Sequence, residues 1–324
     1  MRLVILTSII LALSACAGAK QANDVAPTVE KGGLLGLSTV SDIELKGKEA
    51  VKGEVNVAVP YFKVAFYTEQ TPGGYTNGSG DKHIIHSTLV GVDSALLQKV
   101  TDQAYANFVS QLKQKGFNVL PTSALNRSKT YSAIKQTNTQ YKDEALFGPD
   151  AIYVTPSGMR VSDASITRMI ETNKIMKELN TSVMDVTLYV SYLSQSFNKA
   201  AGFVVTSINV GQTTTVTPGS MMTFYGLEAS KCNGYCPNTV AYATLGQPVF
   251  DTEKVGVLKN VTSSTDKAGD VALTALSWMT KSGTKIHNTD RFELTADPNK
   301  YAKVVTGVIS KATDKLVSAL AANR

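Results

Sequence analysis

Aromatic side chains are scarce in this chain, at 7% with a single Trp, too few for a sugar-stacking or aromatic-lined binding surface. Three cysteines and three histidines exclude a multi-cysteine zinc module. Basic charge is not concentrated either. Lys and Arg number 32 against 26 Asp and Glu, a formal +6 diluted over 324 residues. There is no dense Lys/Arg run, so a nucleic-acid partner is not expected. Beyond the first residues no apolar run reaches about 18 residues, which excludes a helical membrane protein. What remains is 43% hydrophobic and 18% charged, the composition of a packed globular body.

The exceptional run is at the start. Arg2 precedes Leu3-Val4-Ile5-Leu6 and continues apolar through Leu13, the pattern of an export signal and too short to span a bilayer. Leu13-Ser14-Ala15-Cys16 then resembles the lipobox of bacterial lipoproteins, in which small residues fit a narrow peptidase groove and the Cys thiol takes a diacylglyceryl group. The resemblance implies a signal peptide over residues 1–15 and lipidation of Cys16, palmitate being a typical acyl group. Three acyl chains exceed the two-signal threshold for stable anchoring. Ala17 follows where an Asp would retain the protein at an inner membrane, so outer-membrane sorting facing the periplasm is expected, with surface exposure left open.

Two cysteines remain, Cys232 and Cys236, in Lys231-Cys-Asn-Gly-Tyr-Cys-Pro237. An oxidising compartment and a turn built by Asn233-Gly234 and Pro237 favour a small structural disulfide over a redox pair or a metal half-site. It would contribute about 2 kcal/mol and pin a loop tip.

Residues 16–52 are small, polar and glycine-containing, and read as a lipid-anchored tether. Residues 53–324 read as one main α/β (α+β) domain, with a mixed sheet, long antiparallel strands and packed helices. Val55–Tyr67 is strand-like, with an interruption at Pro60. Residues 92–115 form a helix capped by Asp93 or Ser94 and stopped by Gly116. Ala151–Val154 is a buried strand, and residues 163–179 are helical. Two alternating strands, Val183–Leu193 and Phe203–Val216, should pair antiparallel about Asn198–Gly202. Met222–Tyr225 and Val255–Leu258 extend the sheet, a helix covers 266–279, and an amphipathic helix over 298–321 packs on the core.

This order of elements, opening with Val57-Ala58-Val59-Pro60-Tyr61-Phe62 and continuing through a long helix to Gly148-Pro149-Asp150-Ala151-Ile152-Tyr153-Val154, resembles the periplasmic α/β domain of the curli-secretion-channel lipoproteins. The lipoprotein activators of peptidoglycan synthases share that domain. The resemblance implies a non-enzymatic protein that oligomerises or docks on another envelope protein.

Candidate chemistry is sparse. The glycine-rich stretch 73–82 lacks the Lys-Ser/Thr of a phosphate loop. His83 and His86, three apart, would share a helical face as metal ligands but lack a completing ligand set. Ser157-Gly158 is a turn signal, and His287 with Asp290 reads as loop polarity. No catalytic residue, metal or cofactor is therefore expected. The leading expectation is a non-catalytic scaffold or regulatory component of an envelope or secretion complex, partnered by the membrane and by an envelope protein or itself. A lipid-tethered ligand-binding protein and an envelope hydrolase are the alternatives.

Overall fold

The computed structural model describes residues 19–22, 25–27, 31–32, 38–71, 73–75, 82–135, 139–143, 150–161, 165–199, 205–231, 238–279 and 287–324. In chain order its elements begin with β1 (Ala19–Gln21), β2 (Lys31–Gly32), β3 (Ser38–Thr39), β4 (Ile43–Lys46) and a 3-10 turn over Lys48–Val51. Next come β5 (Asn56–Gln70), β6 (Gly73–Tyr75), β7 (Lys82–Val90), α1 (Ser94–Gln114), β8 (Asn118–Val119), α2 (Thr122–Leu125) and α3 (Lys129–Ala133). The middle of the chain forms β9 (Gln140–Asp143), β10 (Asp150–Val154), α4 (Ser165–Leu179), β11 (Ser182–Lys199), β12 (Val205–Val216) and β13 (Met221–Tyr225). After a second 3-10 turn follow β14 (Val240–Leu245), β15 (Val249–Asp251), β16 (Gly256–Asn260), α5 (Ser264–Met279), β17 (His287–Ala296) and α6 (Pro298–Ala321).

Apart from the small β2–β3 pair, the strands form one mixed sheet in the order β16-β17-β7-β5-β11-β13-β14-β4, with β12 continuing from the far half of β11. The fold is therefore mixed α/β. β11 and β12 pair antiparallel, as their alternation requires. The near half of β11 lies parallel to β5.

Pro60 does not interrupt β5. Between the pairs Val183↔Ala58 and Asp185↔Tyr61 two β5 residues face one on β11. This bulge takes up the missing proline N–H. It also switches parity: Val57 and Val59 face the main core before it, and Phe62, Val64 and Phe66 after it.

α1 begins where Asp93 accepts the Leu96 N–H at 2.8 Å. It ends at Gly116, whose φ of +86° suits glycine. α6 starts at Pro298, with Asp297 accepting from the Asn299 and Lys300 N–H groups. These two helices pack together on one sheet face, where Gln111 donates to the Ser310 carbonyl at 2.9 Å. Phe108, Leu112, Val305, Val308, Ile309 and Leu316 meet Met184, Val186 and Leu188 of β11 there. The amphipathic stripe of α6 is thus core. On the opposite face Ile175 and Met176 of α4 close with Leu125 and Tyr131 over Ala58, Tyr61 and Val183.

The segment expected to be a tether over 16–52 is partly woven into this body. β1 pairs with β12 and β4 with β14, and the first 3-10 turn buries Ala50 and Val51. The backbone N–H and C=O groups of β1 and β4 find partners in the sheet, which their small polar composition did not reveal.

Candidate functional site

The N-terminal seat is built from β1, β12 and β17. Because β12, β7 and β17 run parallel to β1 through the chain of pairings, the starts of all four strands lie at one pole of the molecule. β1 adds to β12 with Ala19 opposite Ile208, and Ala19 itself is buried. Its N–H donates to Asp290 Oδ2 at 2.8 Å. The next residues are held as firmly. The Ala22 N–H donates to the Val210 carbonyl at 2.8 Å, and the hydroxyls of Ser194 and Thr213 both donate to the Val25 carbonyl. Val25 is 2% exposed. Gly211 permits this approach, since a Cβ there would lie 2.7 Å from Val25 Cγ2.

Asp290 is not loop polarity, as its sequence context suggested, but a buried carboxylate on β17. Besides Ala19 it accepts from Lys267 Nζ at 3.0 Å and from the Thr262 hydroxyl at 3.4 Å. Charge-assisted donors offset the cost of burying it. The signal was present in the alternation of Phe292, Leu294 and Ala296, which places position 290 on the inward face. An isolated glycine at 211 inside a strand was the corresponding signal for close backbone approach.

α5 covers the edge of β17 at the same pole. Ser263 and Asp266 cap each other at its start, and Asp266 accepts from Arg291 Nε at 2.9 Å. These hydrogen bonds, the one from Ser263 above all, hold the Asp266 carboxyl at a pKa of about 2. Asp270 accepts from both the N–H and the hydroxyl of Thr289.

A second polar group lies under α4. Arg168 Nη1 pairs with Asp185 Oδ2 at 3.2 Å, both side chains mostly buried, and its guanidinium lies 5.3 Å from the Tyr61 ring centre. The Tyr61 hydroxyl donates to Glu171 Oε2 at 3.3 Å. Burial raises the Asp185 pKa despite the opposing pull of Arg168, and burial with Glu171 raises that of Tyr61. Lys63 and Arg160 line the same cleft, whose free space of about 10 Å³ is that of one water.

Cys16, Cys232 and Cys236 lie outside the described residues, as does most of the glycine-rich stretch. His83 and His86 stand on a strand, where positions three apart fall on opposite faces, so the shared helical face their spacing suggested does not form. His86 Nδ1 lies 3.1 Å from the Thr71 hydroxyl, and its pKa is lowered by burial and then by Arg291. Ser157-Gly158 forms a turn, with Ser157 donating to Asp102. Among the described residues no group of three or more His, Cys, Asp and Glu is placed to hold a metal. No helix among them is long and apolar enough to cross a membrane. Comparison of the chain with protein-family models, with curated proteins and with solved structures finds no match.

Proposed function

We propose that this chain is an outer-membrane lipoprotein anchored through Cys16, facing the periplasm, and acting as a non-catalytic scaffold or regulatory component of an envelope or secretion assembly. One observation carries the reading. Ala19, three residues beyond the lipobox cysteine, is bound to buried Asp290. Three residues reach at most about 11 Å, so a lipid on Cys16 would hold the body close to the bilayer. A protein fixed at one height meets partners that are themselves at the membrane.

The cleft at Arg168 and Asp185, with free space of about 10 Å³, is far smaller than the roughly 300–1,000 Å³ of a small-molecule pocket, so that polar cluster reads as structural. The test is crosslinking in intact cells, followed by sizing of the detergent-extracted protein. A ring, another oligomer or a crosslinked envelope partner is expected. A monomer that captures no protein would refute the scaffold role.

A further inference from the structure

We propose that the outer face of α4 is a docking surface for an acidic, partly apolar surface of a partner protein. This deepens the scaffold reading and rests on it. Over residues 122–135 and 165–179, which hold α2, α3 and α4, the cations are Arg127, Lys129, Lys135, Arg168, Lys174 and Lys177. The carboxylates there are Glu171 and Glu178, and both are committed to hydrogen bonds. Glu171 accepts from the Tyr61 hydroxyl, and Glu178 from the Ser128 and Thr130 hydroxyls and the Thr130 N–H. Arg168 is held by Asp185. The other five cations are exposed, so this lobe presents positive charge to solvent.

Helical geometry brings basic and apolar groups together on that face. α4 packs inward through Thr172, Ile175 and Met176, all buried. At 100° per residue, Ile170, Lys174 and Lys177 fall on the opposite side, with Met169 at its flank. Ile170 is 52% exposed and Met169 59%. Cations alone would suit any polyanion. Two exposed apolar side chains beside them favour a protein, because methionine is enriched at protein interfaces and adapts its shape to a partner.

Strand direction places this surface away from the anchor. β11 runs parallel to β5 and antiparallel to β12, which runs parallel to β1. α4 covers Val183 at the start of β11, whereas Ala19 lies opposite Ile208, and Ile208 opposite Phe197. Phe197 follows Val183 by 14 residues, about 45 Å along the strand. The basic lobe and the seat of the N-terminal segment therefore occupy opposite ends of β11, so a body anchored at one end offers its charge at the other.

In the test, the photo-crosslinker p-benzoylphenylalanine replaces Ile170 in the full chain and, separately, Lys99 on α1 and Lys259 on β16, both exposed. Cells are irradiated intact, and the adduct peptides are sequenced by mass spectrometry. The expected product at position 170 is a peptide of another protein with Asp or Glu beside apolar residues. Its yield should fall about tenfold in Lys174→Glu/Lys177→Glu present at the parent's level, since like charges then face each other. It should persist in Lys174→Arg/Lys177→Arg. A yield unmoved by charge reversal overturns the proposal. So does an adduct with a phospholipid, with this chain itself, or with a peptide lacking acidic residues. Protein adducts from position 99 or 259 with none from 170 overturn this docking surface and leave the scaffold reading standing. No protein adduct from any of the three positions overturns both.

Discussion

A carboxylate turned inward on a strand must find donors, and Asp290 finds a backbone N–H, an ammonium and a hydroxyl. Asp290→Ala leaves the Ala19 N–H buried without its acceptor. We expect a loss of about 1–3 kcal/mol in urea unfolding, together with new trypsin cleavage after Lys20. Arg168→Ala is the other costly change, because it strands the Asp185 carboxylate in its cleft. A loss of about 3 kcal/mol near neutral pH is expected. Burial raises the Asp185 pKa, so protonation stabilises its folded form. The Arg168→Ala penalty should therefore shrink at pH values below the ordinary carboxylate range and grow as pH rises through the folded pKa. Asp266 has the opposite sign. With its folded pKa lowered to about 2, its contribution is present above the unfolded value of about 3.9 and is lost as pH falls through about 2. An NMR titration of its carboxyl in the parent, and its upward shift in Arg291→Ala, checks this. Asp290 was legible only as an inward position on an alternating strand, and Asp185 only as a position on the polar face of one, since their partners come from helices and termini elsewhere along the chain.

Among the elements, α1 and α6 could be read from the sequence nearly to the residue, because an Asp cap, a regular apolar stripe and a Gly or Pro boundary all agree there. β11 and β12 were equally plain in their alternation. The three-residue β15 carries no period to read. β17 was missed because its threonines, charges and Phe292 look like loop until β7 and β16 flank it. The bulge at Pro60 shows the same limit: proline announced an irregularity, and only the pairing with Met184 opposite decided between a break and a bulge. β12 offers the element-scale test. Gly211→Ala puts a Cβ against Val25 and the Ala22 carbonyl. Residues 19–25 should lift from the sheet, seen as faster amide exchange at Ala22 while α1 and α6 remain protected. Unchanged exchange at Ala22 would mean that this seat tolerates the added carbon.

At the scale of the whole molecule, the strand order brings the starts of β1, β7, β12 and β17 to one pole, and Cys16 stands three residues before the first of them in the sequence. A sequence read as tether followed by domain places the anchor far from the body. The pairing of β1 with β12 instead holds Ala19, three residues past the proposed anchor, on the sheet opposite Ile208, and no local pattern announces a pairing between positions so far apart. The central claim is that Cys16 is the acylated first residue of the mature protein. The most direct measurement is the mass of the N-terminal peptide released by protease from the protein purified out of cell membranes. The account predicts a peptide that begins at Cys16 and carries the mass of its acyl groups, with residues 1–15 absent. A peptide that retains residues 1–15, or one that begins at an unmodified Cys16, would contradict it.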